Sequence, residues 1–178
     1  RILGFMYANG QGVPQDYAEA MKSYRKAADQ GDAPAQNNIG FMYQFGRGVR
    51  QDYAESVKWF RKAADQGDAM GQGNLGLSYE KGNGVPQDFA EAVKWFRKAA
   101  DQGYGPAQNS LGVMYATGRG VPQDYVQGYK WCNLAASFPE SDTEDRNNAI
   151  SNRDLAASNM TLAQIAEAQK LTREWKPK

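Results

Sequence analysis

Apolar residues recur along this chain with the period of an amphipathic helix. Tyr17, Ala20, Met21, Tyr24, Ala27 and Ala28 fall at steps of 3, 4, 7, 10 and 11, one stripe on one helical face. Tyr53, Ser56, Val57, Phe60, Ala63 and Ala64 repeat it, and so do Phe89, Ala92, Val93, Phe96, Ala99 and Ala100. A second kind of segment carries a shorter signature: Leu3, Gly4 and Tyr7, then Ile39, Gly40 and Tyr43, Leu75, Gly76 and Tyr79, and Leu111, Gly112 and Tyr115. The pattern predicts two alternating helices, with the shared glycine letting them approach closely. That glycine gives up about 1 kcal/mol of helix propensity relative to Ala, so it needs such a packing reason.

The stretches between the helices repeat as strictly. GQGVPQDYAEA at 10–20 returns as GRGVRQDYAES at 46–56, GNGVPQDFAEA at 82–92 and GRGVPQDYVQG at 118–128, an offset of 36 residues each time. A fixed period of this size is the signature of a solenoid. Asp16 with Glu19, Asp52 with Glu55, Asp88 with Glu91 and Asp124 with Gln127 have capping-box spacing, and Gly31, Gly67 and Gly103 stand where helices close. The G-x-G pairs lack the trailing Gly-Lys-Ser/Thr of a phosphate loop, and their recurrence fits a linker.

The fourth copy differs. Asn133 and Leu134 replace the Arg and Lys of Arg25–Lys26, Arg61–Lys62 and Arg97–Lys98, as expected if something covers that surface. Ser141 with Glu144 and Thr161 with Gln164 then open segments predicted as capping helices over 141–158 and 161–175, which solenoids need to close a last apolar face. The division is therefore residues 1–137 as repeats, about three and a half of them, and 138–178 as cap. Arg1 falls inside a first helix, so further repeats are expected before it. Cys132 occupies the place of Tyr24, Phe60 and Phe96, with Tyr129 as a compensating larger neighbour.

Composition narrows the function. Net charge is +1, from 21 basic and 20 acidic residues, so no global field argues for nucleic acid or an anionic membrane. Mean hydropathy is −0.75, and no apolar run reaches the roughly 18 residues that span a bilayer. Histidine is absent and there is one cysteine, which removes the commonest general base, the commonest metal ligand and any internal disulfide. The acidic cluster Glu140, Asp142, Glu144 and Asp145 has no calcium-loop spacing. Asn159-Met160-Thr161 matches a glycosylation acceptor but overlaps a helix cap. Lys22, Arg25 and Lys26, with their copies, form a basic stripe in the later turns of the second helices, where the helix dipole favours cations. Trp59, Trp95 and Trp131 flank it and read as part of the helix-packing surface.

The motifs LG-x-M-Y, G-x-GV-x-QDY-AEA and KW-F-RKAADQGD resemble Sel-one-like repeats, a branch of the tetratricopeptide-like solenoids, over roughly residues 1–137. The resemblance implies an all-α, right-handed α/α solenoid of antiparallel helix pairs with C-terminal capping helices. It implies a non-catalytic scaffold without cofactor or metal, binding a protein or peptide in a concave groove, and it favours a periplasmic or secreted bacterial setting. Cysteine-rich members of the branch bridge every repeat, and the penicillin-binding activity of such members does not carry over to a chain with Cys132 alone. Alternatives are an envelope-associated binder of glycan or cell-wall fragments and, more remotely, an enzyme. The expected partner is a protein or peptide, with no nucleic acid, no membrane insertion and a monomeric state.

With first helices lining the concave side, recognition is expected where the copies disagree. One line reads Asn37, Gly73, Asn109, taken as exposed. The others read Phe5, Phe41, Leu77, Val113; Ala8, Gln44, Glu80, Ala116; and Asn9, Phe45, Lys81, Thr117. The candidate groove residues are Asn37, Phe41, Gln44, Phe45, Leu77, Glu80, Lys81, Asn109, Val113 and Thr117. Gly71 and Gly73, in place of Ala and Asn, mark a candidate hinge.

Overall fold

The computed structural model describes residues 1–137 and 143–178, and the regular structure among them is entirely helical. The helices are α1 (Ile2–Asn9), α2 (Tyr17–Ala28), α3 (Ala33–Phe45), α4 (Tyr53–Asp65), α5 (Ala69–Lys81), α6 (Phe89–Asp101), α7 (Gly105–Thr117), α8 (Tyr125–Ala136), α9 (Thr143–Ala157) and α10 (Leu162–Glu174). This is the α/α solenoid class that the period predicts. Ser141, Glu140 and Asp142 lie outside the described residues, and with them the expected cap at Ser141.

The chain divides into two compact units, Arg1–Gln87 and Asp88–Lys178. In the first, α1 to α5 pack each on the next, and α3 also touches α5. Its core is the predicted stripe: Ala20, Met21, Tyr24 and Ala28 of α2 bury against Ala35, Ile39 and Met42 of α3. In the second unit, α6, α7 and α8 pack in series, α9 covers α7 and α8, and α10 lies on α8. Tyr129 is buried there under the cap, against Ala156, Ala168, Met160 and Ile165.

Helix starts are half as predicted. The Asp16 carboxylate accepts from the backbone N–H groups of Ala18 and Glu19, and Asp52, Asp88 and Asp124 each accept from the residue three positions on. The acid at the third helical position does not close the box. Glu19, Glu55 and Glu91 instead pair with Lys22, Lys58 and Lys94. For Glu19 and Glu55 the reason is that the cap's own N–H is already satisfied. Asp16, Asp52 and Asp124 donate to the carbonyls of Tyr7, Tyr43 and Tyr115 at 2.9, 3.0 and 2.9 Å, tying each second helix to the one before it. Thr161 with Gln164 forms a complete box at α10.

The glycine in the first helices is required by contact. A Cβ on Gly4 would sit 2.7 Å from the Tyr24 ring, and one on Gly40 would sit 2.6 Å from Phe60. At Gly112 the obstruction is the Cys132 sulfur together with the α8 backbone, Cys132 N and Gly128 O both standing at 2.9 Å. Gly112 and Gly128 face each other where α7 and α8 pack closely, and Tyr129, the larger neighbour of buried Cys132, is buried against the cap.

The tail completes the second unit. The Trp175 indole packs edge-on against Trp131 with centroids 6.2 Å apart. Beyond it, the Lys178 N–H donates to the Asp101 carbonyl at 2.8 Å. Leu134 is half-buried, and the Asn133 side-chain Oδ1 accepts from Arg153 at 3.3 Å, so the covered surface expected from the loss of charge in the fourth copy is present.

Candidate functional site

The predicted recognition residues separate into three groups. The line Asn37, Gly73, Asn109 is not an exposed one. Asn37 is 4% exposed and its side-chain oxygen accepts from Asn74 Nδ2 at 2.8 Å. Asn109 is half-buried and accepts in the same way from Asn152 of α9 at 3.0 Å. Gly73 is buried. These amides link neighbouring layers, because a polar group at a helix–helix seam must find a partner there. They are structural.

A second group forms an aromatic surface on the first unit. Phe41 and Phe45, one turn apart on α3, have ring centroids 4.4 Å apart and are 37% and 51% exposed. The Arg47 guanidinium lies 5.3 Å from the Phe41 centroid, 5.7 Å from Phe45 and 5.8 Å from Tyr17. Phe5 of α1, one period before Phe41, is also exposed. Large apolar groups in water incur a penalty, and here several are gathered around a cation.

The third group meets in a cleft. Gln44, Leu77 and Lys81 come together there with Tyr53, Ser56, Ser78 and Asn83. Glu80 is half-buried beside them on α5, and its carbonyl accepts from Gln87 at 2.7 Å. Val113 and Thr117 belong to the second unit, where Val113 is half-buried and the Thr117 hydroxyl donates to the Val113 carbonyl at 2.7 Å. Arg47, Ser56, Ser78 and Asn83 were not among the predicted site residues. Their signal lay in the copies, since Ser56 stands where the others have Ala or Gly, and Ser78 where they have Met.

Most of the basic stripe is engaged within the protein. Lys22, Lys58 and Lys94 pair with glutamates one turn back. Arg25 and Arg61 donate to the Tyr43 and Tyr79 hydroxyls at 2.9 and 2.6 Å, and Arg97 donates to Tyr115, so each bolts a second helix to the following first helix. Lys62 and Lys98 lie 4.0 Å from the centroids of Trp59 and Trp95. The tryptophans pack as expected, Trp95 and Trp131 being buried at 8% and 1% exposure. Burial also holds the Lys130 ammonium below its ordinary pKa, helped by the neighbouring Arg97. Burial pushes the Cys132 thiol up to about 12, which leaves it protonated and unreactive at neutral pH. No group of three His, Cys, Asp or Glu side chains able to hold a metal occurs among the described residues.

The Sel1 repeat pattern matches four successive segments, residues 1–32, 33–68, 69–104 and 105–137. The chain belongs to the Sel1 repeat family. Among Sel1 and related solved structures, it resembles c5321, a protective antigen present in uropathogenic Escherichia coli strains and displaying an SLR fold, with 36% identity and a TM-score of 0.87 over 98% of this chain. It also resembles a Sel1 repeat protein from Oxalobacter formigenes, with 32% identity and a TM-score of 0.74 over the same share. The chain spans 36% of the length of c5321 and 83% of the Oxalobacter protein. No curated protein matches it. Sel1 repeats typically mediate protein–protein interaction and are generally non-catalytic, and no described helix is long and apolar enough to cross a membrane.

Proposed function

We propose that this Sel1 repeat protein is a non-catalytic scaffold that captures a protein or peptide segment on the first-helix face of its first unit. The observation that carries this reading is the exposed cluster of Phe41 and Phe45 around Arg47, next to the cleft at Gln44, Leu77 and Lys81. Aromatic residues and Arg are the side chains that concentrate binding energy at interfaces. The face mixes them with amides, a lysine and half-buried Glu80, which suits an extended peptide or a helix better than a charged polymer. Val113 and Thr117 hold the equivalent register in the second unit and are proposed as a secondary contact. Asn37 and Asn109 leave the proposed set because their amides are already committed.

The test is affinity capture with the whole chain against a triple variant, Gln44→Ala, Phe45→Ala and Lys81→Ala, followed by measurement of Kd for a recovered partner. A hot-spot aromatic with its neighbours is expected to weaken binding by at least about 30-fold, corresponding to about 2 kcal/mol. Unchanged affinity would remove the face from consideration.

A further inference from the structure

The cleft at Ser56 is not a gap common to the repeats. In the other copies its floor is methionine and alanine or glycine: Met6, Met42 and Met114 at the place of Ser78, and Ala20, Ala92 and Gly128 at the place of Ser56. Met42 and Met114 are buried at 3% and 1% exposure, so at their own joints the thioether fills the space. At Ser78 the methylthio end is missing. The roof differs as well. Arg47 covers Tyr17 and Arg119 covers Phe89 at 5.8 and 5.7 Å, whereas the residue in that register beside Tyr53 is the shorter Asn83. Tyr53 is correspondingly 40% exposed. Three departures from the repeat, at three separate places in sequence, thus open one pocket.

Its interior is polar and incompletely satisfied. Ser56 is 2% exposed, lines the pocket, and its hydroxyl has no hydrogen-bond partner in the protein. A buried hydroxyl without a partner is costly, and the other copies avoid that cost by carrying no hydroxyl there. Ser78 donates to the Asn74 carbonyl at 2.9 Å, leaving its oxygen as an acceptor. The remaining polar residues of the lining are Gln44, Asn83, Tyr53, whose hydroxyl accepts from Gln51 at 3.0 Å, and Lys81. No carboxylate lines the pocket. The only formal charge among the lining residues is positive, and the partnerless Ser56 hydroxyl is free to donate.

We infer that this pocket is a subsite for one acidic side chain of a bound peptide, with Ser56, Asn83 and Lys81 donating to an Asp or Glu carboxylate. A carboxylate accepts several hydrogen bonds at once, and those made to a cation are the strong ones. The inference rests on the proposed peptide-binding face and adds the chemistry of one position in the ligand.

Two experiments separate the two readings. In the first, backbone amide shifts of the intact chain are followed by NMR during titration with N-acetyl-aspartate N-methylamide, N-acetyl-asparagine N-methylamide and sodium acetate. The aspartate probe is expected to shift Ser56, Ser78 and Asn83 saturably, with affinity about tenfold above the asparagine probe, the value of one charge-assisted bond. Ser78→Met, which restores the residue of the other copies, is expected to abolish the response, and Lys81→Gln to erase the preference. Equal response to both amino-acid probes, acetate binding as well as the aspartate probe, or persistence in Ser78→Met would each overturn the subsite. In the second, partner capture lost in Phe41→Ala/Phe45→Ala but kept in Ser78→Met would overturn the subsite and leave the face standing. Capture retained in both variants would remove the face.

Discussion

Two glycines in this chain can be replaced by alanine for opposite physical reasons, and the comparison tests the account of how the repeats pack. Gly112 lies inside α7, so alanine there gains about 1 kcal/mol of helix propensity. Against that, its Cβ would stand 2.9 Å from both the Cys132 nitrogen and the Gly128 oxygen, backbone atoms that cannot rotate away. The helices must separate by about half an ångström, which forfeits about a quarter of each dispersion contact along the seam, and overpacking of this kind costs about 1–3 kcal/mol. Because the obstruction is backbone, we place it at the top of that range, for a net loss of about 2 kcal/mol. Gly67 is the reverse case. Its φ is +90° and a Cβ there meets nothing within 4 Å, so alanine suffers only the conformational penalty of about 1 kcal/mol. Urea unfolding followed by circular dichroism, with calorimetry in parallel, should rank Gly112→Ala below Gly67→Ala. The expected fall in Tm is about 4–8 °C for Gly112→Ala, at about 2–4 °C per kcal/mol for a chain of this size. Adding Cys132→Ala should recover only a minor part, since it clears the sulfur and leaves the backbone contacts. A Gly112→Ala protein as stable as the parent would refute close approach as the reason for that glycine.

Three further outcomes are expected. Trp175→Ala removes the edge-on partner of buried Trp131 and loosens the tail, so the second unit should lose about 2 kcal/mol while the first keeps its hydrogen-exchange protection. The Cys132 thiol, raised from about 9 to about 12, should resist alkylation at pH 8 until the protein unfolds. Its raised folded-state pKa means the native state holds the proton longer, so this contribution is full below about pH 9 and is lost as pH climbs from there toward 12, visible as a falling urea midpoint. Asn37→Ala strips the partner from Asn74 and should destabilise the first unit by about 1–2 kcal/mol, and a variant with unchanged stability but weakened partner binding would return Asn37 to the recognition surface.

Much of this architecture could be read from residues alone, because the decisive signals are local. The aspartate caps, the apolar stripes of α2, α4 and α6, and the glycine of the first helices each depend on spacing within one helix or one link. Errors arose where the partner comes from elsewhere. Asn37 looked exposed by helical position, and what buries it is Asn74 of a later helix. Glu19 looked like half of a capping box, but the N–H it was to satisfy belongs to the Tyr7 carbonyl. The basic stripe is explained by helix position only in part, because Arg25 and Arg61 donate to tyrosine hydroxyls 18 residues ahead. Ser56 and Ser78 were visible as departures from their copies, yet only the meeting of α3, α4 and α5 turns two serines into a pocket.

The hydrogen bond that Asp16, Asp52 and Asp124 each make to a tyrosine carbonyl has an evolutionary consequence. Because it runs between backbone groups, it is indifferent to most side-chain changes nearby. A duplicated segment carries its own fastening with it, and needs no matched substitution in the older copy to hold. Gene duplication can therefore lengthen such an array, and drift can then hollow out or decorate a single copy, as at Ser56, Ser78 and Asn83, without unfastening those on either side.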